Sequence, residues 1–320
     1  MLIVLVLFDQ PLLALIGIES YTALFGLSLL VVLGKTVYYY IATLLMSQKQ
    51  LNTQEFLSLL VGKSWMLIII IIALFRGLSI YGVMVIYTVG ILATVCGTLF
   101  YIAHRFGTKV FMPRYDGALV KKAFLFSAPL IPITLAQWVL TAVDRYFLQF
   151  YHGAQAVGHY SYLYSLLDFT VIIAATTITV FYPYMADSLK VDTKKYQFMV
   201  NGAVKYAYLI LLPLLFGFAA MADEIITLIS GSKYLPVISI LPILIFFPVF
   251  QAGITMLNRP LTLHARTKTI GITFVMGMLL NIVLNIILIP RFSIMGAALA
   301  TVLSYIFILL VFIIVAGPYI

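Results

Sequence analysis

SYIFILLVFIIVA, residues Ser304–Ala316, runs thirteen positions without a charge, an amide, a proline or a glycine. It sits in an apolar stretch of roughly 20 residues, the length of α-helix that crosses a hydrocarbon core of about 30 Å. A membrane strand would alternate apolar and polar residues, and this segment does not. Outward from it, uncharged runs of the same kind recur at Ala23–Leu33, Trp65–Phe75 and Leu209–Met221. Of the 320 residues, 64% are hydrophobic and 9% charged, with a mean hydropathy of +1.14. Soluble domains carry about 25% charged residues, so this chain has too little polar surface to coat a water-facing globule. The fold class is therefore all-α integral membrane.

Spans are expected near 21–46, 57–75, 78–103, 121–150, 155–185, 198–222, 235–258, 270–289 and 293–317, with an apolar stub at 1–8. One set of alternate loops holds thirteen Lys and Arg, and the other holds only Arg76, Lys233 and Arg291. This asymmetry places the richer set in the cytoplasm. The net charge of +9 is thus explained by topology, and no nucleic-acid partner is expected. Met1–Phe8 lacks the basic start and small-residue cleavage pattern of a signal peptide. Cys96 is the only cysteine, and the four histidines show no metal-ligand spacing, so no metal site is expected.

The chain repeats itself. Ser79-Ile80-Tyr81-Gly82 and Ser293-Ile294-Met295-Gly296 share an S-I-x-G tetrad 214 residues apart. The same offset maps Asp9 onto Asp223, Gly17 onto Gly231, and three spans onto three later ones of like orientation. That is a parallel internal repeat, as in several transporter folds. It divides the chain into a partial first lobe over 1–110 and a six-span second lobe over 121–320. It also predicts that the first lobe is N-terminally truncated, short of its start by about two and a half spans. Asp9–Ser20 would then be an external re-entry segment like Asp223–Tyr234.

From Lys121 onward the chain resembles the polysaccharide-repeat (O-antigen, Wzx-type) flippases of the multidrug/oligosaccharidyl-lipid/polysaccharide exporter superfamily. The residues that carry the resemblance begin with Ala128-Pro129-Leu130-Ile131-Pro132 and Val143-Asp144-Arg145-Tyr146-Phe147-Leu148. The stretches Gly153–Ser161, Ser230–Tyr234 and Asn281–Phe292 follow, the last running into Gly296–Thr301. The first 120 residues match only in layout. The resemblance implies a two-lobe transporter in the plasma membrane that exports lipid-linked oligosaccharide by alternating access. Its partners would be the cargo lipid, bilayer lipids, and the polymerase and glycosyltransferases of the same pathway. A multidrug/cation antiporter and a peptidoglycan-precursor flippase share the expected fold and remain alternatives.

Such a protein needs cations to offset phosphate charge and polar groups to receive sugars, but no nucleophile. Gly62-Lys63-Ser64 imitates a phosphate-binding loop, but Leu57 stands where its first glycine belongs. No cofactor is expected; the energy source would be a partner, the substrate gradient or a coupling H⁺ or Na⁺. Ionisable groups inside spans cost about 3 kcal/mol or more each, which makes them functional candidates. Lys35, Asp144, Arg145 and Asp168 are the cavity candidates, each weighed against a structural ion pair or a snorkelling side chain. Asp144 and Arg145 are expected about four residues inside the external end of their span. Pro129 and Pro132 are candidates for a helix bend, since proline breaks the hydrogen-bond ladder. Asn281 and Asn285, four residues apart on one face, together with Gly296, are read as helix-packing residues.

Overall fold

A computed structural model describes residues 22–47, 79–107, 130–189 and 191–319, with isolated positions between 72 and 124. The stub 1–8, the re-entry segment 9–20, the span 57–75 and Pro129 lie outside the described residues. The chain divides into two compact units, Met1–Tyr115 and Asp116–Ile320. All regular structure among the described residues is helical.

In the first unit, α1 (Thr22–Ser47) packs against α2 (Ile80–Phe106). Gly34 makes the approach close: a Cβ there would lie 2.7 Å from the Ile91 side chain. Ser79 caps α2, its hydroxyl accepting from the Gly82 N–H at 3.3 Å, and Gly107 ends the helix at φ 78°.

The second unit holds α3 (Leu130–Leu189), α4 (Thr193–Ala220), α5 (Ala222–Ser230), a 3₁₀ segment (Ser232–Ile240), α6 (Leu241–Leu244), α7 (Phe246–Leu263) and α8 (Thr267–Ala316). The 60-residue α3 and 50-residue α8 would be about 90 and 75 Å long if straight. Neither is straight. α3 breaks at Gly153 (φ 78°) and α8 at Ser293 (φ 50°), and each becomes two arms of span length. Counting the arms, the unit has five helical segments of span length, together with a bent pair of shorter ones. The helices long and apolar enough to cross a membrane make this a multi-pass membrane protein.

The joints are tighter than loops. Gly153 suits its position because glycine carries no Cβ penalty at positive φ. Ser293 does not, and a serine at φ 50°, ψ −129° stores roughly 1–3 kcal/mol of backbone strain. Ser293→Gly should therefore raise the stability of the full-length protein by about 1 kcal/mol, whereas Ser293→Val, β-branched at positive φ, should lower it. Thermal midpoints in detergent would read both. Next to the first bend, the His152 Nε2–H donates to the Ile289 carbonyl at 2.8 Å. Ile289 is among the last four carbonyls before the second bend, which lack an assured helical donor. The two bends are thereby tied together.

The span expected at 235–258 is corrected. It is a 3₁₀ segment and short helix that meet α7 at a bend of 47°. Pro236 lies inside the 3₁₀ segment and Pro242 opens α6, and neither can donate the backbone hydrogen bond a continuous helix needs.

Burial follows helical spacing. On α4 the buried stripe is Tyr196, Val200, Ala203, Ala207, Leu211 and Leu215. The opposite face shows Phe198, Leu209 and Phe216 at 60% exposure or more. An apolar outer face is costly in water and at home in lipid. Asp192 starts this helix by accepting from the Lys194 and Lys195 N–H groups at 2.8 and 3.2 Å.

Candidate functional site

Asp144 is 1% exposed, in the first arm of α3. Asp144 and Arg145 lie nine and eight residues before the Gly153 bend, about 12 to 14 Å along the helix. Asp144 Oδ1 accepts from the Arg145 N–H at 2.8 Å. Across the bundle, the Thr301 hydroxyl of α8 lies 3.5 Å from Asp144 Oδ2. Thr301 Oγ1 is 3.0 Å from the hydroxyl of fully buried Tyr160, on the second arm of α3. Three helical arms thus meet around one carboxylate.

Arg145 points elsewhere, as neighbouring helical residues do. Its Nε donates to Ser161 Oγ at 3.0 Å, and its Nη1 donates to the Thr141 carbonyl. The guanidinium carbon sits 4.8 Å from the centre of the Tyr164 ring. The Asp144 contact, at 3.9 Å, is the loosest of these. Asp168, half-buried two turns beyond Ser161 on the second arm, is within electrostatic reach of Arg145. Tyr164 stacks on Phe247 at 4.6 Å, and Phe247 meets Tyr305 edge-on at 5.2 Å. Asp144, Arg145 and Asp168 form one neighbourhood.

Beside it lies a cavity of about 310 Å³ in the second unit, whose walls include Gln137, Thr141, Gln251, Asn258, Arg259 and Tyr305. Thr141 links the two features, lining the cavity while its carbonyl holds Arg145. The side-chain oxygen of Gln251 is buried without a hydrogen-bond partner among the described residues. A buried unpaired amide oxygen costs about 1–3 kcal/mol, which a ligand hydroxyl or N–H would relieve. Arg259 lies over the Tyr182 ring at 5.2 Å. The arrangement offers two guanidinium groups, several amides and aromatic faces, which suit binding of a polar, anionic molecule, and nothing in it resembles a nucleophile with its base.

Sequence reasoning missed Arg259, which was assigned to a cytoplasmic loop because the span was ended at 258; α7 continues to Leu263. Gln137 and Gln251 were legible as amides inside apolar spans and went unweighed. Tyr160 and Thr301 lie in stretches that carry the resemblance, but nothing in the sequence pairs them with Asp144.

The remaining candidates fall elsewhere. Lys35, half-buried in the first unit, has its ammonium 5.4 Å from the Tyr87 ring centre, a cation–π contact in place of an acid partner. Pro132 lies in α3, three residues past Pro129, and the bends described in the long helices are at Gly153 and Ser293. Asn281 and Asn285 are both buried, and the Asn285 amide donates to Asn281 Oδ1 at 3.0 Å. They were expected to bond to a neighbouring helix, but their four-residue spacing lets them pair along their own. Gly296 is buried where a Cβ would lie 2.6 Å from the Leu288 carbonyl carbon.

Comparison with known proteins agrees with the resemblance read from the sequence. An inward-facing multidrug resistance MATE family transporter of the MOP superfamily superposes with a TM-score of 0.75 at 13% identity, covering 99% of this chain and 77% of that one. This likeness shows a shared fold. A probable low-salt glycan biosynthesis flippase of Haloferax volcanii is 26% identical over 169 residues, 52% of this chain and 35% of that protein. An uncharacterized membrane protein of Methanocaldococcus jannaschii is 26% identical over 200 residues, 60% of this chain and 38% of that protein. The chain thus spans little more than a third of the length of these curated relatives. Residues 2–239 match the sequence profile described as polysaccharide biosynthesis protein, and to that family the chain belongs.

Proposed function

We propose that the protein flips polyprenyl-pyrophosphate-linked oligosaccharide units across the plasma membrane for surface polysaccharide export, by alternating access. The observation that carries this reading is the amide- and guanidinium-lined cavity beside Arg145, inside an otherwise apolar bundle. Its amides and aromatic rings suit sugars, and its guanidinium groups suit phosphate oxygens, which their planar fork engages bidentately. The match to a glycan biosynthesis flippase supports the same cargo class. Polymerase and glycosyltransferases of the same pathway would be the working partners. The protein moves its cargo without altering a covalent bond.

The test uses full-length protein in vesicles loaded with a fluorescent polyprenyl-pyrophosphate oligosaccharide, with a membrane-impermeant glycosidase outside. Protein-dependent exposure of the glycan supports the reading. Export of small organic cations with no movement of glycan lipid would replace it with the multidrug antiporter. Movement of a disaccharide-pentapeptide lipid alone would replace it with the peptidoglycan-precursor flippase.

Asp144, buried and facing the Thr301 hydroxyl, which in turn meets that of Tyr160, is the group to couple transport to H⁺ or Na⁺. An imposed gradient of the coupling ion should accelerate the wild-type protein several-fold and leave Asp144→Asn unresponsive. Retained gradient dependence in Asp144→Asn would exclude this carboxylate as the coupling group.

A further inference from the structure

A second cavity of the same unit is apolar. A groove of about 580 Å³ runs between the start of α3 and the first arm of α8, walled by Pro132, Ile133, Ile272, Val275 and Met276, with Lys268 at one end. Its floor is buried Gly271, packed so closely that a Cβ there would lie 2.8 Å from the Ile133 side chain. Ile272 and Met276 are each 51% exposed, so the groove opens on the outer face of the helices.

From Lys268 to Met276 the helix advances about 12 Å, close to half of a 30 Å hydrocarbon core. The groove is therefore one leaflet deep, with a cation at headgroup height and apolar walls below it. Lys268 is exposed and has no carboxylate partner among the described residues, Thr267 adds a hydroxyl beside it, and exposed Arg266 lies in the same turn. This end also belongs to the loop set in which the basic residues gather.

We propose that this groove binds an anionic phospholipid, one acyl chain lying along Ile133, Ile272, Val275 and Met276 and the phosphate resting on Lys268. Both halves of the match are physical. A bare groove at membrane depth is filled by a chain, and an unpaired lysine at headgroup height selects a negative head. The depth of a single leaflet fits a phospholipid chain better than a polyprenyl chain, which is several times longer than the groove. The site is separate from the polar cavity and independent of what the protein carries.

The experiment is native mass spectrometry of the full-length protein released from vesicles of phosphatidylglycerol and phosphatidylcholine with identical dioleoyl chains. The wild-type protein should retain phosphatidylglycerol in preference. Lys268→Gln should lower that retention about fivefold, the effect of one basic residue near the surface, and leave phosphatidylcholine unchanged. Ile272→Trp, at a half-exposed position that tolerates bulk, should lower retention of both lipids by filling the groove. Lys194→Gln, on an equally exposed lysine of α4, should change neither. Unaltered lipid retention in both Lys268→Gln and Ile272→Trp would overturn the proposal. So would displacement of the bound lipid by inorganic phosphate, which would make the site one for a free anion, or by equimolar polyprenyl phosphate, which would make it a seat for the cargo lipid.

Discussion

Gly296→Ala should leave little folded protein in the membrane. The new Cβ would stand 2.6 Å from the Leu288 carbonyl carbon and 2.9 Å from the Ile289 nitrogen. Both are backbone atoms on the other side of the Ser293 bend, and neither can rotate away as a side chain could. Relief requires the two arms of α8 to part, in a bundle where Ile289, Ala297, Ala298 and Ala300 are all 0% exposed. A loss of about 4 kcal/mol or more is expected, at the upper end for a point substitution. Fluorescence-detected size-exclusion chromatography of tagged full-length protein would show the monodisperse peak collapse. Gly217→Ala on α4 is the control. Nothing lies within 4 Å of its added Cβ, and removing a helical glycine should stabilise by about 0.5–1 kcal/mol. Equal recovery of the two variants would contradict the close approach at Gly296.

The second large effect is expected at Arg145. Alanine there removes the hydrogen bonds to Ser161 and the Thr141 carbonyl, the contact with the Tyr164 ring and the loose pair with Asp144. If the guanidinium meets the phosphate of the cargo, losing one charge-assisted interaction of up to about 3 kcal/mol slows transport roughly 100-fold. Arg145→Lys keeps the charge but not the planar fork and should fall between. Folding must be separated from transport, because breaking a buried pair on one side costs about 3–5 kcal/mol. The double variant Asp144→Ala/Arg145→Ala removes both charges. It should recover thermal stability relative to Arg145→Ala while remaining inactive in the vesicle assay. Wild-type transport by the double variant would assign the pair a purely structural role.

The helical membrane class and the candidacy of Asp144, Arg145 and Asp168 were legible in the sequence for one reason. Bilayer thickness sets helix length, and an ionised group inside that length stands out. Joints were less legible. Runs such as Asn281–Phe292 and Ser293–Ala316 show where a span must turn, not that a single residue at φ 50° suffices. The S-I-x-G tetrad illustrates the limit. Both copies open a helix, but Ser79 does so as an extended cap at φ −67° and Ser293 as a strained bend. Arg259 was lost to a boundary error of a few residues. The Asn281–Asn285 pair shows that two amides on one helical face predict a bond without predicting its partner. The convergence of Thr301 and Tyr160 was beyond reach, since only folding brings residues 141 positions apart together beside one carboxylate.

The one-residue bends at Gly153 and Ser293 also bear on how such a chain can diverge. A loop absorbs insertions and deletions, whereas a bend transmits them. Tyr160 lies seven residues past one bend and Thr301 eight past the other. One residue added or lost between bend and side chain would swing that side chain about 100° around its helix, away from Asp144. Relatives that keep this carboxylate cluster should therefore keep both intervals to the residue, and let their lengths drift on the opposite side of the membrane, around 190–192 and 264–266.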